Sequence, residues 1–170
     1  MIKLASCDTC IMSPERCHHH LGTCREPAWG EQFCMTDHIV YLANSSGLKV
    51  GITRASQVPT RWMDQGASQA LPIMRVSTRL QSGLVEGAID GIMALQKEYG
   101  LQAIQPVQAE VTDIRYPVLE YSAKPQSANL DKDPVLEGTL LGIKGQYLLL
   151  DTGVINIRKY TAYTLNVSVS

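Results

Sequence analysis

The chain has 170 residues and a net charge of −1, with 45% hydrophobic and 18% charged residues. That length allows one or two small domains with modest cores, and the near-neutral balance excludes a protein that attracts polyanions through overall charge alone. No apolar run approaches the roughly 20 residues of a membrane span, and Met1-Ile2-Lys3-Leu4 does not open a secretion signal, so a cytoplasmic location without a membrane partner is expected.

All five cysteines and all four histidines lie between Cys7 and His38. The order is Cys7, Cys10, Cys17-His18-His19-His20, Cys24, Cys34, His38. Zinc takes four soft or borderline ligands in a tetrahedron, and close pairs on tight turns supply them. Structural zinc is therefore the expected cofactor. An odd cysteine count without a secretion signal argues against a disulfide framework. Thiol exchange stays open, because C-x2-C also serves redox chemistry. Eight ligands would fill two sites: Cys7, Cys10, Cys17, His18, His20, Cys24, Cys34 and His38. His19 is left out, since its two neighbours turn it the other way. A head this small cannot bury a core alone, so metal binding would be coupled to its folding. Trp29 and Phe33 are expected to pack it onto the next element.

Two short apolar runs follow, residues 39–43 and 48–53, separated by Asn44-Ser45-Ser46-Gly47. Small polar residues between such runs predict a hairpin. A helix is predicted over residues 56–65, with Ser56 as N-cap, Pro59 in the first turn and Gly66 as terminator. A third strand is predicted over 71–76, then a helix running into Leu84, Val85 and Glu86. Between Val40 and Arg79 the basic residues are Lys49, Arg54, Arg61, Arg75 and Arg79, against Asp64 alone. A local excess of this kind can steer phosphate.

Gly87 directly follows Glu86 and Gly91 comes four residues later, and glycine inside a helix costs about 1 kcal/mol relative to alanine. A dropped segment between Glu86 and Gly87 is expected, and missing sequence before Met1 as well. Residues 88–99 predict a core-packing helix ended by Gly100. Beyond Pro106 the pattern turns to short strands over 110–115, 118–121, 136–143, 146–150, 154–158 and 163–169. Lys144-Gly145 and Asp151-Thr152-Gly153 form the turns between them, and 122–134 is a loop. This predicts a small barrel or a strongly bent sheet. Lys144, Arg158 and Lys159 beside Tyr147, Tyr160 and Tyr163 fit single-strand binding. They also fit half-buried tyrosines with snorkelling lysines, the reading that is favoured.

The block from His38 to Glu86 resembles the GIY-YIG nuclease superfamily. There, two tripeptides lie on adjacent strands, an arginine follows on the first helix, and a metal-binding glutamate lies on a later helix. Ile39-Val40-Tyr41 stands for the first tripeptide and Lys49-Val50-Gly51 for the second. Arg61 and Glu86 take the arginine and glutamate positions. The first tripeptide's glycine is replaced by Ile39 and the second's tyrosine by Lys49. The resemblance implies that Tyr41, Arg61 and Glu86 are catalytic and that Lys49, Gly51, Thr53 and Arg54 bind phosphate. It also implies magnesium or manganese on Glu86. In addition, CHHHLGTCREPAWGEQFC and YLANSSGLKVGITR resemble an uncharacterised bacterial domain-of-unknown-function family, which brings no activity with it.

The expected fold class is α+β, in three parts. They are a zinc knuckle (1–38), a GIY-YIG-like α/β sheet domain (39–100) and a C-terminal β-barrel-like subdomain (101–170). The expected function is a zinc-containing protein that binds DNA or RNA, with metal-dependent phosphodiester cleavage left open. The alternative is a structural or protein-interaction zinc protein whose arginines only meet solvent.

Overall fold

The computed structural model describes residues 9–87, 104–106, 108–122 and 125–169. Cys7 and the helix expected over 88–99 lie outside these residues. Among its described residues the head has three single 3₁₀ turns, Thr9–Ile11, Pro14–Arg16 and His19–Leu21, and the short helix α1, Pro27–Phe33. The hairpin follows as β1 (His38–Asn44) and β2 (Leu48–Arg54), antiparallel, with Tyr41 directly opposite Gly51. β3 (Gln69–Val76) pairs antiparallel with the other side of β1.

A register shift occurs between Val40 and Tyr41, where Tyr41 faces Pro72. Proline cannot donate to a ladder, and a bulge absorbs that. Two short strands from beyond residue 100, β4 (Ile104–Pro106) and β5 (Thr112–Asp113), both pair with β3. The sheet order is thus β2-β1-β3-β4, with β2 at an edge.

The alternation along β1 builds two cores. Val40 packs with Val76 and with Val85 of helix α3 (Arg79–Gly87) on one face. Tyr41 and Ala43 pack with Trp62, Ala67 and Ala70 on the other. The helix predicted to start at Ser56 begins later. Residues Ala55–Gln57 form a 3₁₀ turn, Val58 is extended, and helix α2 is Thr60–Asp64 with Pro59 as its N-cap. A residue before proline is pushed away from the helical region, which explains the delay. Gly66, at φ 68°, ends α2 in the left-handed conformation that glycine tolerates. α3 starts on Thr78, whose Oγ1 accepts from the Gln81 N–H, while Gln81 Oε1 accepts from Ser77 N–H.

The C-terminal part is an open three-stranded meander. It comprises β6 (Leu140–Lys144), β7 (Tyr147–Leu150) and β8 (Val154–Asn156), flanked by single bridges at Val118–Gly142 and Ser127–Val154. The expected strand over 163–169 pairs with nothing, and no barrel closes, among the described residues. Residues 157–160 form a 3₁₀ turn capped by the Asn156 side chain, so the strand expected over 154–158 ends at Asn156. The predicted turns at Gly145 and Gly153 are present. Tyr116 OH donates to the carbonyls of Ala67 (2.9 Å) and Met63 (3.2 Å), which ties this part to the end of α2. No helix among the described residues is long and apolar enough to cross a membrane.

The head is held against α3 at Gly83. A Cβ there would fall 2.6 Å from the Pro14 carbonyl carbon and 2.9 Å from Pro14 Cβ. Gly83→Ala should therefore destabilise by about 1–3 kcal/mol through overpacking, lowering the melting temperature by about 3–10 °C for a protein of this size. An unchanged thermal melt followed by circular dichroism would refute that packing.

Candidate functional site: an arginine-lined cleft at the edge of β2

A cleft of about 570 Å³ runs along the open edge of β2, lined by Val50, Gly51, Ile52, Thr53 and Arg54 in succession. α2 contributes Arg61 and Asp64, α3 contributes Arg79 and Glu86, and the C-terminal part contributes Arg158. Two elements on opposite faces of the sheet thus reach one cleft around its edge strand. Four guanidinium groups share it with two carboxylates.

Tyr41 lies beneath this wall and is fully buried. Its ring crosses directly over Gly51, where a Cβ would fall 2.7 Å from Tyr41 Cζ and 2.8 Å from its hydroxyl oxygen. Glycine is required there by the neighbouring ring, whatever a ligand needs. The Gln65 amide lies between the Tyr41 hydroxyl and the Arg61 guanidinium. The amide orientation that satisfies both turns its oxygen to Arg61 Nε (3.1 Å) and Nη2 (3.3 Å), while its nitrogen donates to Tyr41 OH at 3.2 Å. Burial raises the pKa of the Tyr41 phenol above its usual value, against the lowering effect of Gln65 and Arg61. The raised pKa keeps the phenol protonated and so available as a hydrogen-bonding partner of Gln65.

The remaining arginines are also steered. Arg54 stacks over the Phe33 ring at 4.7 Å, and Arg79 lies 5.8 Å from the centroid of Trp29 while its Nε donates to Cys34 Sγ at 3.2 Å. Trp29 and Phe33 pack on one another, centroids 4.9 Å apart. The head's aromatics therefore join it to the hairpin, as expected, and also aim two cleft arginines. Arg158 Nη1 reaches Asp64 at 3.9 Å, a loose exposed pair worth about 0–1 kcal/mol. Arg75 is paired with Asp37 away from the cleft.

Of the residues singled out from sequence, Gly51, Thr53, Arg54, Arg61 and Glu86 line this cleft. Tyr41 supports it from below. Lys49 is exposed on the hairpin and lines smaller cavities beyond Gly51, with Tyr147. Gln65 and Asp64 join the site without a sequence signal of their own, and Arg79 and Arg158, noted in the sequence only as basic residues, join them there. Their positions come from helix ends and from a distant turn.

In the head, Cys10, Cys17 and Cys34 are buried in one cluster, with Cys24, Trp29 and Leu80 packed against it. His18 Nδ1 is hydrogen-bonded with Thr23 Oγ1 at 2.7 Å, and His20 is exposed. His19 is the histidine whose ring lies over Gly30 beside Cys24: a Cβ at Gly30 would meet its ring and, at 3.3 Å, the Cys24 sulfur. Among the described residues, no three cysteine, histidine or acidic side chains converge as metal ligands. His38 is buried, its Nδ1 bonded to the Thr36 carbonyl at 2.6 Å, and its Nε2 has no hydrogen-bond partner among the described residues. Burial first, and then Arg79 and Arg54, lower its pKa to about 4, so the ring is neutral at pH 7 with its Nε2 lone pair unused.

Glu86 is half-buried, and its pKa is raised by burial and then by Glu15. A folded-state value above the unfolded one means that ionisation costs stability. The cost grows as pH rises from the usual carboxylate range through the folded pKa. Glu86→Gln should therefore melt higher than the parent at pH 7, the gap closing near about pH 3, where both states are protonated. A lower melting temperature at pH 7 would mean that the carboxylate has a stabilising partner.

No curated protein and no solved structure matches this chain. The family DUF2797, described as a protein of unknown function, matches residues 1–94 and 90–165. With nearly the whole chain covered, the protein belongs to the DUF2797 family.

Proposed function

We propose that the β2-edge cleft binds the phosphodiester backbone of nucleic acid. The single observation that carries this reading is the convergence of Arg54, Arg61, Arg79 and Arg158 on one cleft with a half-buried carboxylate, Glu86. Planar guanidinium groups pair with phosphate oxygens in a fork geometry. Arg61 is the best prepared of them, because Gln65 and Tyr41 hold it in place. The GIY-YIG resemblance supports the same reading. Its two tripeptides fall on paired strands, with the arginine on the next helix and the glutamate on the one after β3.

Cleavage is a second reading, favoured by Glu86 itself. Its ionised form costs stability, as groups kept for function often do. A hard divalent cation, magnesium or manganese, prefers such a carboxylate together with water and phosphate oxygens. Bound there it would supply Lewis-acid polarisation of the phosphate and an activated water. Tyr41 contributes by positioning Arg61 through Gln65. Lys49, in place of the second tyrosine, lies beyond the cleft and adds positive charge along the strand's path.

The head is proposed to hold structural zinc. Its donors suit zinc in kind: soft thiols gathered in one cluster, an Arg79 N–H directed at the Cys34 sulfur, and a neutral buried His38. A ligating imidazole usually donates its other N–H to a carbonyl, as His38 Nδ1 does to Thr36. The head then acts as a brace, setting Arg79 and Arg54 through Trp29 and Phe33. Elemental analysis should find about one to two zinc ions per chain, and none in repeated preparations would overturn this part.

The site reading is tested by fluorescence anisotropy with labelled single strands of DNA and RNA over a range of salt. Arg61→Gln should weaken binding and flatten the log–log salt slope by about one unit. Glu86→Ala should leave affinity unchanged or raise it, while abolishing any magnesium- or manganese-dependent cleavage. Unaltered affinity in Arg61→Gln would refute the phosphate site, and binding without cleavage in either metal would refute the nuclease reading.

A further inference from the structure

We infer that the strand bound along β2 places a nucleobase in a second, apolar cavity between the hairpin tip and the C-terminal sheet. This inference rests on the phosphate-binding reading and adds what lies beside the phosphates. The cavity holds about 410 Å³, within the roughly 300–1,000 Å³ of small-molecule sites. It lies beside the arginine cleft, with Gln65 lining both. A smaller cavity of about 230 Å³ lies between the two, sharing Val50 and Gly51 with the arginine cleft and Ser45, Lys49 and Tyr147 with the apolar one. Gln65 lines all three. A single strand could therefore follow the edge of β2 from Arg61 past Gly51 to Tyr147 without leaving a wall of the protein.

The walls suit a flat aromatic group. Tyr147 and Leu149 leave β7 on one face, as alternate residues must, and Leu141 and Val154 complete an apolar floor. Tyr121 stands at the rim, 59% exposed, with Lys144 Nζ 5.6 Å from its ring centroid. An exposed ring carrying a cation offers a base both a stacking surface and charge for its phosphate. Asn156 brings an amide that can bond to a base edge, and Lys49 and Lys144 outnumber the single rim carboxylate, Glu120. Nearby aromatics do not serve this way. Tyr160 is buried with its hydroxyl accepting from Leu130 N–H at 3.0 Å, and Tyr163 is tied to Asp131.

The test compares two labelled single strands of about 12 nucleotides, one carrying bases and one abasic throughout, with the full chain and anisotropy as readout. DNA and RNA versions of the base-bearing strand are both used. The parent should bind the base-bearing strand about tenfold or more tightly than the abasic one. Tyr121→Ala and Tyr147→Ala should each lose about tenfold on the base-bearing strand and nothing on the abasic one. Tyr147→Phe, which keeps the ring, should bind like the parent and controls for folding. Equal affinity of the parent for both strands, or parallel losses on both in the alanine variants, would overturn the base pocket. If Arg61→Gln still weakens the abasic strand in that case, the phosphate cleft stands alone. If no strand binds at all, the phosphate reading falls and the base pocket falls with it.

Discussion

The contact between the Tyr41 ring and Gly51 is the constraint on which the site depends. The two residues oppose each other across the β1–β2 ladder. Because Gly51 has no side chain, the phenol can lie across the edge strand and reach the amide of Gln65. That one ring does two jobs. Its face fills the core with Trp62, at a centroid distance of 5.8 Å, and its hydroxyl fixes the side chain that holds Arg61. Any Cβ at position 51 would displace the ring and release both.

A second close approach works from the other face of the sheet. Gly83 lets the Pro14–Arg16 turn of the head settle against α3, and Arg79 N–H donates to the Cys34 carbonyl at 2.8 Å. The head therefore sets where α3 lies, and α3 carries Glu86 and Arg79 to the cleft. The C-terminal sheet plays the matching part on α2. Tyr116 satisfies carbonyls at the end of that helix, and Gly145 packs a turn against it. Cleft geometry thus draws on all three parts of the chain, and none of them could be assessed by cutting it out.

The hairpin, β3 and α3 were readable because their signals are local. β-Branched runs and small polar turns each act over a few residues, whereas the Thr78 cap of α3 emerged only with the structure. The C-terminal turns at Gly145 and Gly153 were readable for the same reason. The late start of α2 was not, because Pro59 overrode the Ser56 signal. Barrel closure was not either. It needs a strand at 163–169 to find a partner far away in sequence, and an apolar run carries no address for that partner. His19 shows the same limit within the head. Its neighbours have the same chemistry, and only the close passage of Gly30 distinguishes which imidazole lies beside Cys24.

Residue types and short spacings alone determined the mixed α+β character, the hairpin and the concentration of soft donors before residue 38. The resemblance to the GIY-YIG superfamily, and not spacing, grouped Tyr41, Gly51, Arg54, Arg61 and Glu86 as residues expected at one site. Only the tertiary structure decided that Arg61 and Glu86, 25 residues apart on helices packed against opposite faces of the sheet, reach one cleft. It alone recruited Gln65, Arg79 and Arg158 to that cleft, and it alone buried Tyr41. The reason is that alternation and helical period specify which face a side chain leaves by. They carry no information on which distant face it will meet. That depends on close approaches of backbone at Gly51 and Gly83, which exist only once the whole chain has packed.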